Sequence, residues 1–360
     1  KVLMKVKMST KMLCMIQAMY FSVQSCVRWG ATVSDFFDCP SGLKQGCLLS
    51  PLVFSLLISE VADEVFSNGK HGFQFSPGLR EIFLLLFADD IVLLSSTPVG
   101  LQTQLNNLAR ASDRLGLKVN FSKTKVMIFR KGGKISRKEK WFLKGLELEI
   151  VNDYKYLGFV FTSKLSVVSA LNQVVRRGKG KVVDILKTMW SLGKLDLSFF
   201  FKLFDAQVKP MLLYASEVWG AIHYKCIESV QLFALKRLLG VSPRTPNTMV
   251  YGETARCPLY IDSTISTVRY WFKLLRMDAD RLPRQAYDMS LREVNDKNWP
   301  ITVKKTLDDY GFSFVWMNNG VTNENAFLKL LKQRMTDSFF QHWSSKLEGS
   351  ERFTLYRSFK

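Results

Sequence analysis

Residues 83–94 of the sequence read FLLLFADDIVLL, and this stretch decides the predicted fold. Two adjacent carboxylates, Asp89 and Asp90, separate two apolar runs that suit buried strands better than helices and are too short to cross a bilayer. We therefore expect a β-hairpin with the two aspartates at its tip. Carboxylates about 4 Å apart repel by roughly 4 kcal/mol at an effective dielectric near 20, and a divalent, oxygen-preferring ion such as Mg²⁺ would relieve that repulsion. The alternative is that Asp simply favours turns.

The composition of the chain favours a globular protein with a polyanionic partner. Its 360 residues, 47% of them hydrophobic, are enough for two or three domains with a core. The net charge of +20 is suited to neutralising phosphates, although a merely soluble basic protein would show the same excess. The six cysteines follow no spacing typical of a zinc site or a disulfide framework, so we expect free thiols in a reducing compartment.

A glycine-containing loop precedes the hairpin at residues 40–51, PSGLKQGCLLSP. Gly42 and Gly46 permit close approach of the backbone, and Gln45 offers an amide between them. Ser-Pro at the end of the loop is typical of a helix start with Ser50 as the cap, and we expect the helix to continue to residue 65. Alone, such a loop is a weak indication of phosphate binding.

Two further motifs follow the hairpin. After a predicted amphipathic helix over residues 100–116, residues 117–129 read LKVNFSKTKVMIF, and the alternation at their end predicts a strand. Residues 154–158, YKYLG, predict a tight turn at Gly158. The alternative for Lys123, within the first motif, is a surface lysine at a strand edge.

Beyond residue 162 the pattern becomes helical. A helix is predicted over residues 166–192, interrupted by Gly178 and Gly180. It carries four basic residues suited to backbone phosphates: Arg176, Arg177, Lys179 and Lys181. In the later segment PMLLYASEVW, residues 210–219, core packing is the alternative to a functional role for Tyr214 and Trp219.

In order along the chain, the Gly-x-x-Gln-Gly loop with Ser-Pro, the Phe-Ala-Asp-Asp hairpin, the Leu-x-x-Asn-x-x-Lys-Thr segment and the Tyr-Leu-Gly turn resemble motifs of non-LTR retrotransposon reverse transcriptases. The resemblance is strong over residues 41–158 and weaker to about residue 275. It implies an α+β fold, with an incomplete palm made of an antiparallel sheet with helices. The implied domains are fingers and palm over residues 1–165, a helical thumb over 166–280 and a C-terminal helical extension of unknown role over 281–360.

The resemblance also implies an RNA-directed DNA polymerase that transfers dNTP units to a DNA primer on an RNA template. Two Mg²⁺ or Mn²⁺ ions about 3.5–4 Å apart would assist the transfer. The implied catalytic residues are Asp89, Asp90 and Lys123, with the two aspartates binding metal and the lysine near the nucleotide phosphates. By the resemblance, the nucleotide and the template are contacted by Gly42, Gln45 and Gly46. The primer end is contacted by Tyr156, Leu157 and Gly158. The backbone phosphates are contacted by Arg176, Arg177, Lys179 and Lys181. We expect Asp89, Gln45 and Lys123 to face one cleft.

One departure concerns a third metal-binding aspartate, which the family places on a strand upstream of the glycine loop. Here Asp35 and Asp38 lie too close to the loop to be that residue. We therefore expect a truncated chain that is inactive alone. The resemblance also implies that the protein acts inside the cell, in the nucleus and the cytoplasm, and that it does not bind a membrane. Its oligomeric state is left open. The alternatives are a catalytically dead nucleic-acid-binding remnant and an unrelated basic scaffold protein.

Overall fold

The computed structural model describes residues 2–39, 42–44, 46–66, 72–74, 81–130, 139–193, 196–293 and 298–359. It confirms the α+β class, with two-stranded antiparallel ribbons among many helices. The chain forms two compact units. The first runs to Val126 and includes the segment that ends at Ile150, whereas the second contains a short piece beginning at Met127 and everything from Val151 onward. None of the described helices is both long enough and apolar enough to cross a bilayer.

The described part of the first unit contains short ribbons and four helices. The helices are α1 (Val2–Lys5), α2 (Thr10–Tyr20), α3 (Ser50–Phe66) and α4 (Pro98–Leu115). The ribbons pair β1 (Gln24–Ser25) with β4 (Phe37–Asp38), β2 (Arg28–Trp29) with β3 (Thr32–Val33), β5 (Leu84–Phe87) with β6 (Asp90–Leu93), and β7 (Phe142–Leu143) with β8 (Leu146–Glu147). The sequence pattern over residues 2–20 predicts one helix, but Lys7 has a positive φ and Ser9 caps a new helix by accepting a hydrogen bond from Met12 N.

The core of the first unit lies between α3 and α4. Ile58, Val61 and Val65 of α3 meet Leu108 and Ala111 of α4. Three side chains of the β5–β6 segment pack on this core: Phe83, Ile91 and Leu93. The β5–β6 hairpin therefore packs on α3, the helix that directly follows the glycine loop.

The second unit is mostly helical. It begins with the hairpin of β9 (Asp153–Tyr156) and β10 (Phe159–Thr162). The helices are α5 (Val167–Ser191), α6 (Leu197–Leu203), a π-helix (Phe204–Val208), α7 (Lys209–Leu212), α8 (Ser216–Trp219), α9 (Lys225–Leu238), α10 (Asn247–Thr254), α11 (Leu259–Leu275), α12 (Leu282–Arg292), α13 (Trp299–Asp309), α14 (Ser313–Met317), α15 (Glu324–Glu348), a 3₁₀ turn (Glu351–Phe353) and α16 (Thr354–Arg357).

The long helix α5 runs through both of its glycines, so the predicted interruption is wrong. A Cβ on Gly178 would lie 2.8 Å from Leu212 Cδ2 and 3.2 Å from Val230 Cγ1, whereas one on Gly180 would meet nothing within 4 Å. Gly178 is buried and allows α5 to approach α7 and α9 closely. The packing gained at Gly178 outweighs the weak helix propensity of glycine.

Two hydrophobic clusters stabilise the second unit. One joins α5, α6, α7 and α9 around residues such as Phe200 and Phe204. The other is centred on α11, where Trp271 is fully buried, and extends through α12 to α15. Residues beyond 281 therefore share a core with α11.

A buried carboxylate links three of these helices. Glu228 of α9 accepts hydrogen bonds from Tyr251 Oη of α10 at 2.5 Å and from Leu259 N of α11 at 2.8 Å. Burial raises the pKa of Glu228 above its ordinary value, and these donors oppose the rise. All of its described partners are structural, so this acidic residue belongs to the core and not to a catalytic site.

Candidate functional site

The two central aspartates lie at the end of a hairpin, as predicted. Phe87 pairs with Asp90, so Ala88 and Asp89 form the turn. Both carboxylates are exposed. Ala88 has a φ of +51°, a conformation that costs a non-glycine residue about 1–2 kcal/mol.

The apolar strands beside the aspartates are less buried than their composition predicts. The exposed fractions of Leu85, Leu86 and Phe87 are 37%, 38% and 60%. Among the residues that the structure describes, this ribbon has two strands, and the side chains near its tip are exposed. The prediction of buried strands is therefore wrong at the tip and holds only toward α3 and α4.

The glycine loop is fastened to the end of α2. Lys44 Nζ donates to Met19 O at 2.7 Å and lies 5.7 Å from the centre of the Tyr20 ring. Tyr20 Oη lies 2.6 Å from Ser50 Oγ. Ser50 is the first helical residue and its hydroxyl pairs with this tyrosine, so it does not act as the predicted cap.

Gly42 and Gly46 both have positive φ values, +105° and +79°. Gln45 lies outside the described residues, so its predicted approach to the aspartates stays a prediction. The sequence pattern does not predict the roles of Tyr20 and Lys44. Their contacts span 25 to 30 residues, and no local pattern reveals them.

Cys47 in the same loop is chemically distinctive. Hydrogen bonding by Ser50, through its hydroxyl and its backbone, and by Leu49 and Tyr20 lowers the pKa of the Cys47 thiol to about 7. A thiol with such a pKa is substantially ionised at neutral pH and correspondingly reactive. Hydrogen-bond donors at the start of α3 and at Tyr20 thus surround this thiol.

Lys123 lies in a turn and not in a strand. Asn120 Oδ1 accepts hydrogen bonds from Lys123 N at 3.3 Å and from Ser122 Oγ at 2.7 Å, and Asn120 O accepts one from Thr124 Oγ1 at 2.8 Å. An asparagine that binds the backbone ahead of it favours such a turn. The predicted strand after Lys123 is reduced to a bridge between Val126 and Ile150. The Lys123 side chain is exposed.

The Tyr-Leu-Gly motif forms the turn of the β9–β10 hairpin. Tyr156 pairs with Phe159, and Leu157 and Gly158 have φ values of +47° and +84°, as in a type I′ turn. Aromatic residues also face each other along this hairpin: Tyr154 pairs with Phe161, and the rings of Phe159 and Phe161 are 5.5 Å apart. Such a surface is suited to stacking on nucleobases.

The basic cluster predicted on α5 is largely exposed. Among the described residues, none of Arg176, Arg177, Lys179 and Lys181 has an ion-pair partner. Lys179 Nζ lies 5.7 Å from the centre of the Phe233 ring on α9, and the Arg237 guanidinium lies 4.7 Å from the same ring. Cation–π contact with one aromatic ring thus holds both cations near each other.

We name these five residues the α5–α9 basic surface: Arg176, Arg177, Lys179, Lys181 and Arg237. Polar side chains line a shallow groove on α5 beside it, at Ser169, Asn172, Gln173, Arg176 and Arg177. Their positions recur at helical spacing, so this stripe could have been found in the sequence, as could the i, i+4 pair of Phe233 and Arg237. Amide, hydroxyl and guanidinium donors in a row are typical of contacts with a nucleic-acid backbone.

The aspartate pair fits a divalent metal ion in part. Among the described residues, no group of three or more His, Cys, Asp or Glu side chains comes close enough to hold a metal. Asp89 and Asp90 nevertheless supply hard, exposed oxygen donors on adjacent positions. Mg²⁺ is commonly held by one or two carboxylates together with water and substrate phosphates, and this donor set suits such an arrangement.

Parts of this chain are similar in sequence to known proteins. Residues 2–161 match the family model described as reverse transcriptase (RNA-dependent DNA polymerase). The chain is 30% identical over 147 residues to a retrovirus-related Pol polyprotein from the type-1 retrotransposable element R2 of Nasonia vitripennis, covering 37% of this chain and 14% of that protein. It is 28% identical over 207 residues to a probable RNA-directed DNA polymerase from transposon BS of Drosophila melanogaster, covering 55% and 22%.

A third relative is the RNA-directed DNA polymerase from mobile element jockey of Drosophila funebris, 22% identical over 208 residues, covering 56% of this chain and 22% of that protein. The chain thus spans less than a quarter of the length of these three relatives. The α+β fold, the aspartate hairpin and the family match define a reverse transcriptase domain over residues 2–161. The three relatives come from a retrotransposable element, a transposon and a mobile element, and this chain resembles them in sequence.

Proposed function

We propose that this chain provides part of an RNA-directed DNA polymerase, which transfers dNTP units to the 3′ hydroxyl of a DNA primer on an RNA template. One observation carries the proposal: an exposed aspartate pair stands on a hairpin that packs on α3, and α3 is opened by the glycine loop. Paired carboxylates and a phosphate-binding loop on one rigid support are the parts that nucleotidyl transfer needs. Copying RNA at a genomic site would place this activity in the nucleus.

Asp89 and Asp90 would hold Mg²⁺ or Mn²⁺. When bound, such ions neutralise charge on the phosphates and activate the attacking hydroxyl. Asp89 lies in the turn and Asp90 begins β6, so the backbone of the hairpin orients both carboxylates. Gly42, Gln45 and Gly46 would contact the nucleotide and template, and the exposed ammonium of Lys123 would lie near the leaving phosphates, where it stabilises negative charge.

The second unit would bind the template–primer duplex. Tyr156, Leu157 and Gly158 would contact the primer end, and the α5–α9 basic surface would contact phosphates, because its cations have no described counter-ions. In this proposal residues 1–165 are the fingers and palm, residues 166–280 are the thumb, and residues 281–360 extend it.

The metal site is tested first by Mn²⁺ binding, because this measurement does not require turnover. We expect electron paramagnetic resonance to detect Mn²⁺ bound to the chain and Asp89→Asn to weaken that binding at least tenfold. Asp309→Asn is the matched control: it removes the same charge from an exposed position at the end of α13. Equal Mn²⁺ affinities for both variants would contradict the assignment of Asp89.

Primer extension tests the activity itself. We expect a polypeptide that also supplies the upstream aspartate of the family to extend a DNA primer on RNA. Asp89→Asn should reduce extension by about a hundredfold or more, since charge stabilisation by metal is worth several kcal/mol and 1.36 kcal/mol is tenfold in rate. Duplex binding should persist. Extension by the 360 residues alone would overturn the expectation that they are inactive.

The second candidate function is duplex binding without catalysis, which the α5–α9 basic surface supports by itself. Replacing Arg176, Arg177, Lys179 and Lys181 with Ala should lower the log–log salt slope of duplex binding by roughly 0.9 for each phosphate that the variant no longer neutralises. The control replaces four exposed basic residues of the C-terminal helices, Lys305, Lys329, Lys346 and Arg352. If both variants have the same slope, this surface does not bind the duplex.

A further inference from the structure

One hydrogen bond in the second unit joins two motifs that are 57 residues apart in the chain. Tyr214 Oη donates to Leu157 O at 2.5 Å, at the turn of the β9–β10 hairpin. The ring of the same tyrosine lies against the next residue, because a Cβ on Gly158 would be 3.4 Å from Tyr214 Cε1. Tyr214 thus contacts both turn residues, one through its hydroxyl and one through its ring.

Tyr214 is itself firmly placed by its neighbours. The indole of Trp219, which is only 5% exposed, donates a hydrogen bond from Nε1 to Tyr214 O at 3.1 Å. Trp219 belongs to the core that α5, α6, α7 and α9 share. The backbone from which Tyr214 projects is therefore fixed to the centre of the second unit.

Helix α8, which follows Tyr214, is attached to later helices through its carbonyl groups. Thr267 Oγ1 of α11 donates to Ser216 O at 2.9 Å, and Ser263 Oγ of the same helix donates to Gly220 O at 3.0 Å. Trp299 Nε1 of α13 donates to Glu217 O at 3.2 Å. The bond from Trp299 connects residues beyond 281 to the segment that carries Tyr214.

Exposure distinguishes Tyr214 from an ordinary core residue. Half of its side chain, 51%, is accessible to solvent, so its packing contributes less than that of Trp219. Its specific contacts are with the turn, where Leu157 has a positive φ that is costly for a residue other than glycine.

We propose that Tyr214 is a positioning residue that holds the Tyr156-Leu157-Gly158 turn in place for the 3′-terminal nucleotide of the primer. Helices α8, α11 and α13 brace it. The C-terminal helices thereby acquire a role, which is to fix the segment that carries Tyr214. The inference rests on the proposed function, since it takes the turn to contact the primer end.

The experiment compares Tyr214→Phe with Tyr356→Phe. Both variants remove one hydroxyl that bonds a backbone carbonyl, since Tyr356 Oη donates to Met249 O at 3.4 Å and also to Glu253 at 2.7 Å. Only the first substitution affects the turn. A DNA primer with a photoreactive 3′-terminal nucleotide is annealed to RNA, its affinity is measured by fluorescence anisotropy, and the cross-linked peptide is identified by mass spectrometry.

We expect the unaltered chain to cross-link the primer end to the peptide of residues 153–162. Tyr214→Phe should lower that yield at saturating protein by threefold or more and change the affinity by less than twofold, whereas Tyr356→Phe should change neither. Amide exchange at residues 157–159 should be faster in Tyr214→Phe without nucleic acid. Trp299→Phe, which removes the brace to α8, should produce a smaller loss of cross-linking.

An unchanged cross-link in Tyr214→Phe would overturn the inference and leave the proposed function standing. Loss of amide protection throughout the second unit would also overturn it, because the hydroxyl would then support the whole unit and not the turn. Failure of the unaltered chain to bind the primed template, or cross-linking of the primer end elsewhere, would instead refute the proposed function of the turn.

Discussion

The β5–β6 and β9–β10 hairpins are built alike but are supported differently. Each has four-residue strands and a two-residue turn, and in each turn the first residue is a non-glycine with positive φ, +51° at Ala88 and +47° at Leu157. The turn of β9–β10 is contacted by Tyr214 from 57 residues away. Among the described residues, no side chain hydrogen-bonds to Ala88 or Asp89.

The difference follows from what each turn presents. The Ala88-Asp89 turn carries a carboxylate, and covering a carboxylate with protein would cost it its hydration. The Leu157-Gly158 turn presents backbone groups and lies beside an aromatic surface. Protein can therefore pack against one side of this turn while the other side stays exposed to solvent. An exposed turn suits an ion and its phosphates, and a braced turn suits the positioning of a polymer end.

The largest stability effect is expected at Gly178 of α5. Gly178→Ala should lower the free energy of unfolding of the second unit by about 1–2 kcal/mol, because overpacking against Leu212 and Val230 costs about 1–3 kcal/mol and exceeds the gain in helix propensity. Gly180→Ala, on the same helix with nothing near it, should instead stabilise by roughly 0.5–1 kcal/mol.

Urea unfolding followed by tryptophan fluorescence measures both variants. Equal effects at Gly178 and Gly180 would show that α5 does not depend on close approach to its neighbours.

A second prediction isolates the contact of Tyr214 with the turn. Gly158→Ala should destabilise the β9–β10 hairpin by about 1 kcal/mol or more, because alanine at this φ is strained; its Cβ would lie in ordinary van der Waals contact with the Tyr214 ring, 3.4 Å from Cε1. Gly145→Ala is the matched control, since Gly145 has a similar φ of +80° in the β7–β8 turn and no neighbour within 4 Å.

Amide exchange in each hairpin gives the two free-energy changes. Their difference measures what Tyr214 adds beyond backbone strain. A cost for Gly158→Ala well below about 1 kcal/mol would contradict the strain expected at this φ.

The smallest effect is expected at the unsupported turn. Ala88→Gly should stabilise the β5–β6 hairpin by about 0.5 kcal/mol, because glycine adopts positive φ without strain and loses part of that gain to its larger unfolded-state entropy. Ala109→Gly in α4 is the control and should have the opposite sign, a destabilisation of about 1 kcal/mol.

The same exchange measurement applies to the amides of residues 84–93. A loss of stability at Ala88→Gly would mean that the positive φ is enforced by a contact, and the turn would then resemble its braced counterpart.

Local patterns predicted most elements of the chain. Helix α4 begins at Pro98 and ends where Gly116 takes a left-handed conformation, close to the predicted span of 100–116, and α3 covers the predicted helix after Ser-Pro. Asp89 falls in the expected turn and Asp90 directly follows it as the first residue of β6. The prediction succeeded here because apolar periodicity, Pro and Gly act over a few residues.

Patterns failed where a distant neighbour decided the outcome. Gly178 does not interrupt α5, because the side chains of Leu212 and Val230 pack closely against the backbone of this glycine. The strand predicted after Lys123 is instead a turn organised by Asn120, followed by a single bridge at Val126. The apolar composition of β5 predicts more burial of its side chains than the structure shows, because composition does not reveal how many strands pair with β5.

The sequence by itself determined the order of the motifs, the carboxylate pair with its apolar strands and the excess of positive charge, because each is written in neighbouring residues. Only the tertiary structure decided that Tyr20 secures the glycine loop, that Arg237 joins the basic helix through Phe233 and that Tyr214 holds the turn at Leu157. Each of these depends on elements that fold back on one another, and the free energy of such contacts comes from proximity that no local pattern encodes.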